Sequence, residues 1–469
     1  MISVPGWYKT ASLILLIEMD QANQHIVKYN SGYIIGISLI SALGGYLFGF
    51  DFAVISGALP FLRNEFQLDV WWEGFLTGSL ALGCIVGCIF AGKLSDQYGR
   101  RFGLVVAAAI FALSSIGMAL SANLLMFISM RFAAGIGVGM ASMLSPMYIA
   151  EVSPAEMRGR NVSINQLTIV FGILITNLVN YLLSDTGPHA WRWMFGLGAV
   201  PAALFLFGVI WLPESPRWLM MNGHTERALK ILAKIGNQHF VSTTQEAIEK
   251  NLVSAPKASF ATVFQKSVRP ALVVGITLAV FQQLCGINVV FNYTSTIFES
   301  IGADLDRQLM ETVMIGVVNL VFTLVAMWQV DRLGRRPLML IGSLGLSITY
   351  IALAFVLQNG AAPIVVSLLV LSAIAMYATS LAPVTWVLIT EIFPGNIRGV
   401  ATSIATVSLW LAYFVLVFTF PVLAKVLGTY GPFYLYAVIC FLGFLFVKTK
   451  VAETKGQMLE NLEDNYIRH

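Results

Sequence analysis

Two ionisable residues lie where an apolar sequence has no ordinary use for charge. Asp51 is the only charged residue between Gly32 and Arg63, and Arg131 is the only one between Arg101 and Glu151. An ionisable side chain inside an apolar helix is costly and marks a functional site by default. The first apolar run is expected to end near residue 59 and the fourth to begin near residue 123. Asp51 and Arg131 are then each about eight residues from the same face, roughly 12 Å deep at the helical rise. At matched depth the two can pair. A carboxylate that alternately pairs with an arginine and carries a proton couples proton movement to a change of shape, so Asp51 and Arg131 are read as a proton-coupling pair. The plainer alternative is a fixed structural ion pair.

A second set is polar but uncharged. Gln166, Gln282, Gln283, Asn288, Asn319 and Trp386 all fall inside apolar runs. An amide in a bilayer must find partners. Interhelical hydrogen bonding explains any one of these amides taken alone. Together, neutral donors and acceptors beside a tryptophan suit a neutral polyhydroxyl ligand. The indole face can lie against sugar C–H groups while the amides bond the hydroxyls. Next to them, Phe291, Asn292 and Tyr293 are read as an outer gate.

A third set is charged and duplicated. Gly92–Arg101 contains Asp96 and Arg100, and it recurs as Val330–Arg336 with Asp331 and Arg335. Glu151–Gly159, with Arg158, recurs as Glu391–Gly399, with Arg398. The offsets are 235 (331 − 96) and 240 (391 − 151). Two unrelated phrases repeating at nearly one offset mean a duplicated half, and long repeats in a membrane protein point to a transporter with its site between them. Acids and bases at adjoining helix ends are expected to form a gating charge network that bridges the halves on the cytoplasmic side. Topogenic charge alone would explain the arginines but not the repeated acids.

The elements that must carry these residues are membrane helices. The 469 residues are 57% hydrophobic and 11% charged, against roughly 25% charged in a soluble domain. Twelve apolar runs are long enough to span a bilayer at about 20 residues each. They begin near residues 34, 73, 103, 124, 162, 192, 271, 311, 338, 364, 401 and 431. Loops rich in basic residues (Lys93, Arg100, Arg101; Arg158, Arg160; Arg332, Arg335, Arg336; Arg398) alternate with loops holding isolated ones such as Arg63, Arg307 and Lys425. That asymmetry places the rich loops and both termini in the cytoplasm. The net charge of +4 follows from these clusters and is no sign of a nucleic-acid partner.

The expected organisation is an N-terminal segment 1–32, a six-helix bundle 33–212, a cytoplasmic helical linker 213–269, a second six-helix bundle 270–448 and a tail 449–469. Residues 11–17 are apolar but too short to span, no signal-peptide cleavage site is evident, and Met19 offers an alternative start that leaves 1–18 outside the natural chain. Cys84, Cys88, Cys285 and Cys440 sit in apolar runs and are read as packing residues, with no disulfide and no metal site.

These residues resemble those of the sugar porter family of the major facilitator superfamily, over nearly the whole chain after residue 30. The likeness is nearest to its bacterial proton–xylose and related sugar symporters. It rests on Gly92–Arg101, Arg131, Glu151–Gly159, Pro213–Leu219, Gln282–Asn288, Asp331–Arg336 and Glu391–Gly399. It implies an all-α membrane protein with twelve transmembrane helices in two pseudo-symmetric six-helix bundles. It also implies sugar contacts at Gln166, Gln282, Gln283, Asn288, Asn319 and Trp386, and proton coupling at Asp51 and Arg131. Facilitative animal members carry Asn where Asp51 stands, which implies symport. Several positions depart from the family: Leu409 replaces a Gln or Asn, Tyr413 an Asn, Asn292 a Tyr, Ile173 a Gln, and Ala452 the Pro of a Pro-Glu-Thr-Lys-Gly motif. One sugar hydroxyl partner is therefore expected to be replaced.

The expected activity is import of a monosaccharide (xylose, glucose or similar) by proton symport through alternating access, in a bacterial inner membrane. The protein is expected to act as a monomer, without cofactor, and not as an enzyme. A proton-independent facilitator and a non-transporting sugar receptor are the rivals; a tail of some twenty residues argues against the receptor.

Overall fold

The computed structural model describes residues 28–254, 265, 268–360, 362–393 and 397–455. The apolar run 11–17, the alternative start at Met19 and the end of the tail lie outside them, as do the side chains of Asp331, Glu391 and Arg398.

The first half comprises α1 (Ser31–Phe66), α2 (Val70–Tyr98), α3 (Arg100–Ala119), α4 (Leu124–Val152), α5 (Ala155–Leu183), α6 (Ala190–Gly196) and α7 (Ala199–Trp211). Three short helices follow: α8 (Pro216–Met221), α9 (Thr225–Ile235) and α10 (Gln238–Ser254). The second half comprises α11 (Arg269–Leu284), α12 (Ile287–Asn292), α13 (Thr294–Glu299), α14 (Leu305–Leu333), α15 (Arg335–Gln358), α16 (Pro363–Thr379), α17 (Leu381–Ile392), α18 (Arg398–Leu427) and α19 (Gly431–Lys450). Twelve stretches among the described residues are long and apolar enough to cross a membrane. Their starts follow local signals. Asp69, Asn123 and Asp304 cap α2, α4 and α14 by accepting from the backbone N–H three residues on, and Pro begins α16, where its missing N–H costs nothing.

The halves pack by the same rule. The first buries α1 on α5, α2 on α4 and α3 on α7; the second repeats this as α11 on α18, α14 on α16 and α15 on α19. Between halves, α2 meets α18 and α5 meets α14. Many large apolar side chains remain exposed around the outside, which is stable only against lipid. Exposed tryptophans (Trp71, Trp72 and Trp193 toward one face, Trp211 and Trp328 toward the other) mark the two bilayer interfaces.

Close approach of α2 and α4 depends on Gly83 and Gly135. A Cβ on Gly83 would lie 2.0 Å from the Phe132 carbonyl oxygen, and one on Gly135 2.1 Å from that of Leu80. Small residues let membrane helices touch backbone to backbone. Gly135→Leu should therefore force the pair apart at a cost of about 3 kcal/mol or more. A clear fall in the melting temperature of the detergent-solubilised protein is expected. Gly92→Ala, where nothing lies within 4 Å, should leave it unchanged.

The first helix corrects one expectation. It does not end near residue 59 but runs to Phe66. Hydropathy reads only the lipid-facing length. The extra turns are held by protein: Phe66 packs on Phe127 and Trp191, and Arg63 pairs with Glu73. Asp51 is therefore near the middle of α1, not one turn or two from its end.

Candidate translocation site

The amides gather where the seventh span breaks. Gly286, with φ 88°, separates α11 from α12, and a Cβ there would also strike the Tyr436 ring at 2.5 Å. A second break at Tyr293 separates α12 from α13. Broken helices at the interface of repeats are where transporters hold substrate. Around this break Gln283 donates to Gln282 (3.1 Å), Asn288 donates to the Gln283 side-chain oxygen, Asn292 donates to the Asn288 carbonyl (2.6 Å), and the Tyr413 hydroxyl donates to the Asn292 side-chain oxygen (3.1 Å). One chain of hydrogen bonds thus runs from α18 through α12 to α11. Its members are all buried.

The other three expected contacts stand on other helices. Gln166 is half-buried on α5, Asn319 is buried on α14, and Trp386 on α17 is 40% exposed. Helices α11 and α17 pack together, which brings the Trp386 helix beside the amide group; no protein hydrogen bond joins these three residues to it.

Two departures from the family pattern prove to be partners. Asn292 and Tyr413 bond each other, joining an amide of α12 to a phenol of α18. Leu409 is buried next to Trp410 and offers no polar atom. Aromatic rings close over this level. Phe52 of α1 meets Phe291 (5.9 Å between centroids) and Tyr413 (5.3 Å), and Phe48 meets Trp410 (5.7 Å). Tyr293, the third expected gate residue, donates to the Val417 carbonyl at 2.9 Å and packs on Phe420.

Asp51 and Arg131 do meet. Arg131 Nη1 lies 3.6 Å from Asp51 Oδ2, with the side chains 0% and 1% exposed, and the guanidinium lies 5.7 Å from the Phe195 ring centroid. Neither carboxylate oxygen and no guanidinium nitrogen has a hydrogen-bond partner. Burying a charge pair is tolerable when hydrogen bonds complete it. This pair has the Coulombic attraction without protein hydrogen bonds.

Among the described residues, Gly92–Arg101 and Glu151–Gly159 form a compact knot in the first half, and Val330–Arg336 forms its counterpart in the second. In the first, Arg100 pairs with Asp96 (2.8 Å) and Glu151 (3.1 Å) and donates to the Ser95 carbonyl (2.9 Å). Arg158 donates to the Ala150 carbonyl. In the second, Arg335 donates to the Val330 carbonyl. The described pairs thus lie within a half, not across the two. At the centre of each knot is an acid that sequence reasoning passed over. Glu214 accepts from the backbone N–H groups of Arg100 and Arg101, and Glu453 accepts from those of Arg335 and Arg336. Each carboxylate caps a helix N-terminus, where the dipole favours an anion, behind a glycine with positive φ (Gly99, Gly334). Their spacing of 239 (453 − 214) matches the other repeats and was the signal that could have found them. Burial pushes the Glu214 carboxyl above its ordinary range, against the N–H groups of Ser215, Arg100 and Arg101. At Glu453 burial acts in the same direction, but the N–H groups of Lys455, Arg335, Arg336 and Thr454 outweigh it and the carboxyl lies below its ordinary range.

Several hydrogen bonds between the halves lie toward the face opposite these knots. Arg63 donates to Glu299 and Thr296, Ser295 to the Ser56 carbonyl, and Asn177 to the Thr312 carbonyl. On the knotted face Gly159 and Gly399 have open space around them.

Known proteins are similar to this chain in sequence and fold. The family described as "Sugar (and other) transporter" matches residues 37–466. The D-xylose-proton symporter of Escherichia coli (strain K12) is 39% identical over 475 residues, covering 93% of this chain and 96% of its own. The arabinose-proton symporter of Bacillus subtilis (strain 168) is 38% identical over 451 residues, covering 94% and 97%. The inward-open conformation of the E. coli xylose transporter XylE superposes with a TM-score of 0.83 at 38% identity, covering 92% of this chain and 100% of that one. With the duplicated knots, the broken seventh span and the Asp51–Arg131 pair on one scaffold, and with relatives matched end to end, this chain belongs to the sugar porter family of the major facilitator superfamily.

Proposed function

We propose that this protein imports a neutral monosaccharide together with a proton, by alternating access between its two halves. The observation that carries this reading is the buried Asp51–Arg131 pair, which attracts at 3.6 Å without hydrogen bonds, held on the same scaffold as a neutral amide cluster.

The face bearing the knots is taken as cytoplasmic, with both termini there, in the bacterial plasma membrane, and the protein works as a monomer. With the opposite face open, Asp51 takes a proton and lets Arg131 go. Sugar then enters against Gln282, Gln283 and Asn288, with Gln166 reaching from the first half and Asn319 and Trp386 from the second. Phe291, Asn292 and Tyr293 close over it. Asp96, Arg100, Glu151 and Arg158, with Asp331, Arg335, Glu391 and Arg398, act as the cytoplasmic gate that opens for release. The neutral polar lining matches the sugars named for the relatives, pentoses among them.

The test is uptake of labelled xylose, arabinose, glucose and galactose into proteoliposomes, with and without an inward proton gradient. Accumulation of one sugar above its outside concentration, only with the gradient, is expected. Equilibration that ignores the gradient would leave facilitated passage without coupling. Binding without passage would end the transport reading.

A further inference from the structure

We propose that Arg63 is the ionic lock of the outer gate, a positioning residue that holds the two halves together on the side away from the knots. Its guanidinium is shared. Nε and Nη2 form a two-pronged pair with Glu73 of α2 at 2.7 and 2.6 Å, so Arg63 is anchored within its own half. Nη1 reaches Glu299 at 2.7 Å and Nη2 reaches Thr296 at 2.6 Å, both on α13 of the other half. Among the ion pairs of the described residues, Arg63–Glu299 is the one that crosses between halves; the others join residues of the first half.

The two prongs differ in strength. Glu73 is 7% exposed and Glu299 56% exposed. Exposed ion pairs contribute little, largely because two long side chains must be ordered to make them. Here the buried, two-pronged contact with Glu73 already orders the arginine, so closing onto Glu299 needs only the glutamate to settle. The result is a contact that forms readily and breaks readily, as a gate requires. Its partner lies on a six-residue helix set off from α12 by the break at Tyr293. Beneath it Ser295 donates to the Ser56 carbonyl at 2.6 Å, so the lock sits above a polar layer and then the Phe52–Phe291 contact. Sequence reasoning saw Arg63 only as an isolated loop charge.

The lock rests on the transport reading for its sense of outside, but its test needs neither sugar nor protons. A single reporter cysteine is placed at Ser295 or at Gly399, whose surroundings are open. Its reaction with an impermeant maleimide is followed from each side of the membrane, against the chain without a reporter, in which the native cysteines are buried. Glu299→Gln should speed labelling of the Ser295→Cys reporter about threefold to fivefold, the scale of one partly exposed pair, and slow labelling of the Gly399→Cys reporter from the other side. Thr296→Val should act in the same direction more weakly. Arg63→Gln should exceed both. That reciprocal change is the mark of a shifted gate. Faster labelling at both reporters would mean a loosened fold, and no change at Ser295 would mean Arg63 holds nothing shut; either overturns the lock. Failed sugar uptake with the reciprocal labelling intact would count against the transport reading and not against the lock.

Discussion

Asp51→Asn is expected to abolish proton-driven accumulation while leaving sugar exchange across the membrane. Asparagine has the shape of the protonated carboxyl and cannot give the proton up, so the variant imitates the loaded carrier at every pH. For one proton per sugar, a gradient of one pH unit supports about tenfold accumulation, since one unit is worth about 1.4 kcal/mol. Wild type should approach that ratio in proteoliposomes and Asp51→Asn should stay at one, with counterflow of preloaded sugar retained. The same change strands Arg131, which is fully buried. Removing one partner of a buried pair costs about 3–5 kcal/mol because it leaves an uncompensated buried charge, so a fall in melting temperature is expected. The double variant Asp51→Asn with Arg131→Gln should recover part of that fall without recovering accumulation. Accumulation that survives in the single variant would place the coupling proton elsewhere.

Asn288→Ala should have the next largest effect, on affinity. Asn288 donates to Gln283, which in turn donates to Gln282. Its removal takes away a proposed sugar partner and leaves the buried Gln283 side-chain oxygen without its donor. An orphaned buried polar group costs about 1–3 kcal/mol, and a net hydrogen bond about 1 kcal/mol. The sum, about 2–4 kcal/mol, is roughly a 30- to 700-fold rise in dissociation constant at 1.4 kcal/mol per decade. Ligand titration of the purified protein checks this. Asn292→Leu, one step further along the chain, should weaken binding less, because it removes the Tyr413 contact without touching Gln283. Equal losses at both positions would mean that the whole chain acts as one rigid unit; no loss at Asn288 would remove it from the site.

What the residues disclosed before any folding was local or self-contained. Each span is a contiguous apolar run, and its caps at Asp69, Asn123 and Asp304 act three residues away. Asp51 and Arg131 stood out because charge in an apolar run is visible without knowing the partner, and their opposite signs suggested the pairing. The duplication was legible because it is written twice. What waited for the tertiary structure was everything that depends on which helix ends meet. Glu214 lies 113 or 114 residues from the N–H groups it caps, and nothing in its neighbours says where it points. Arg63 read as loop charge until α1 was seen to outrun its apolar stretch and meet Glu299, 236 residues on. Asn292 and Tyr413 looked like two separate departures from the family pattern, and proved to be one bond between α12 and α18. Hydropathy and spacing carry information along one chain segment. Hydrogen bonds and ion pairs between segments form only where packing of the whole bundle sets two backbones at the right distance, and that distance is a property of all the helices together.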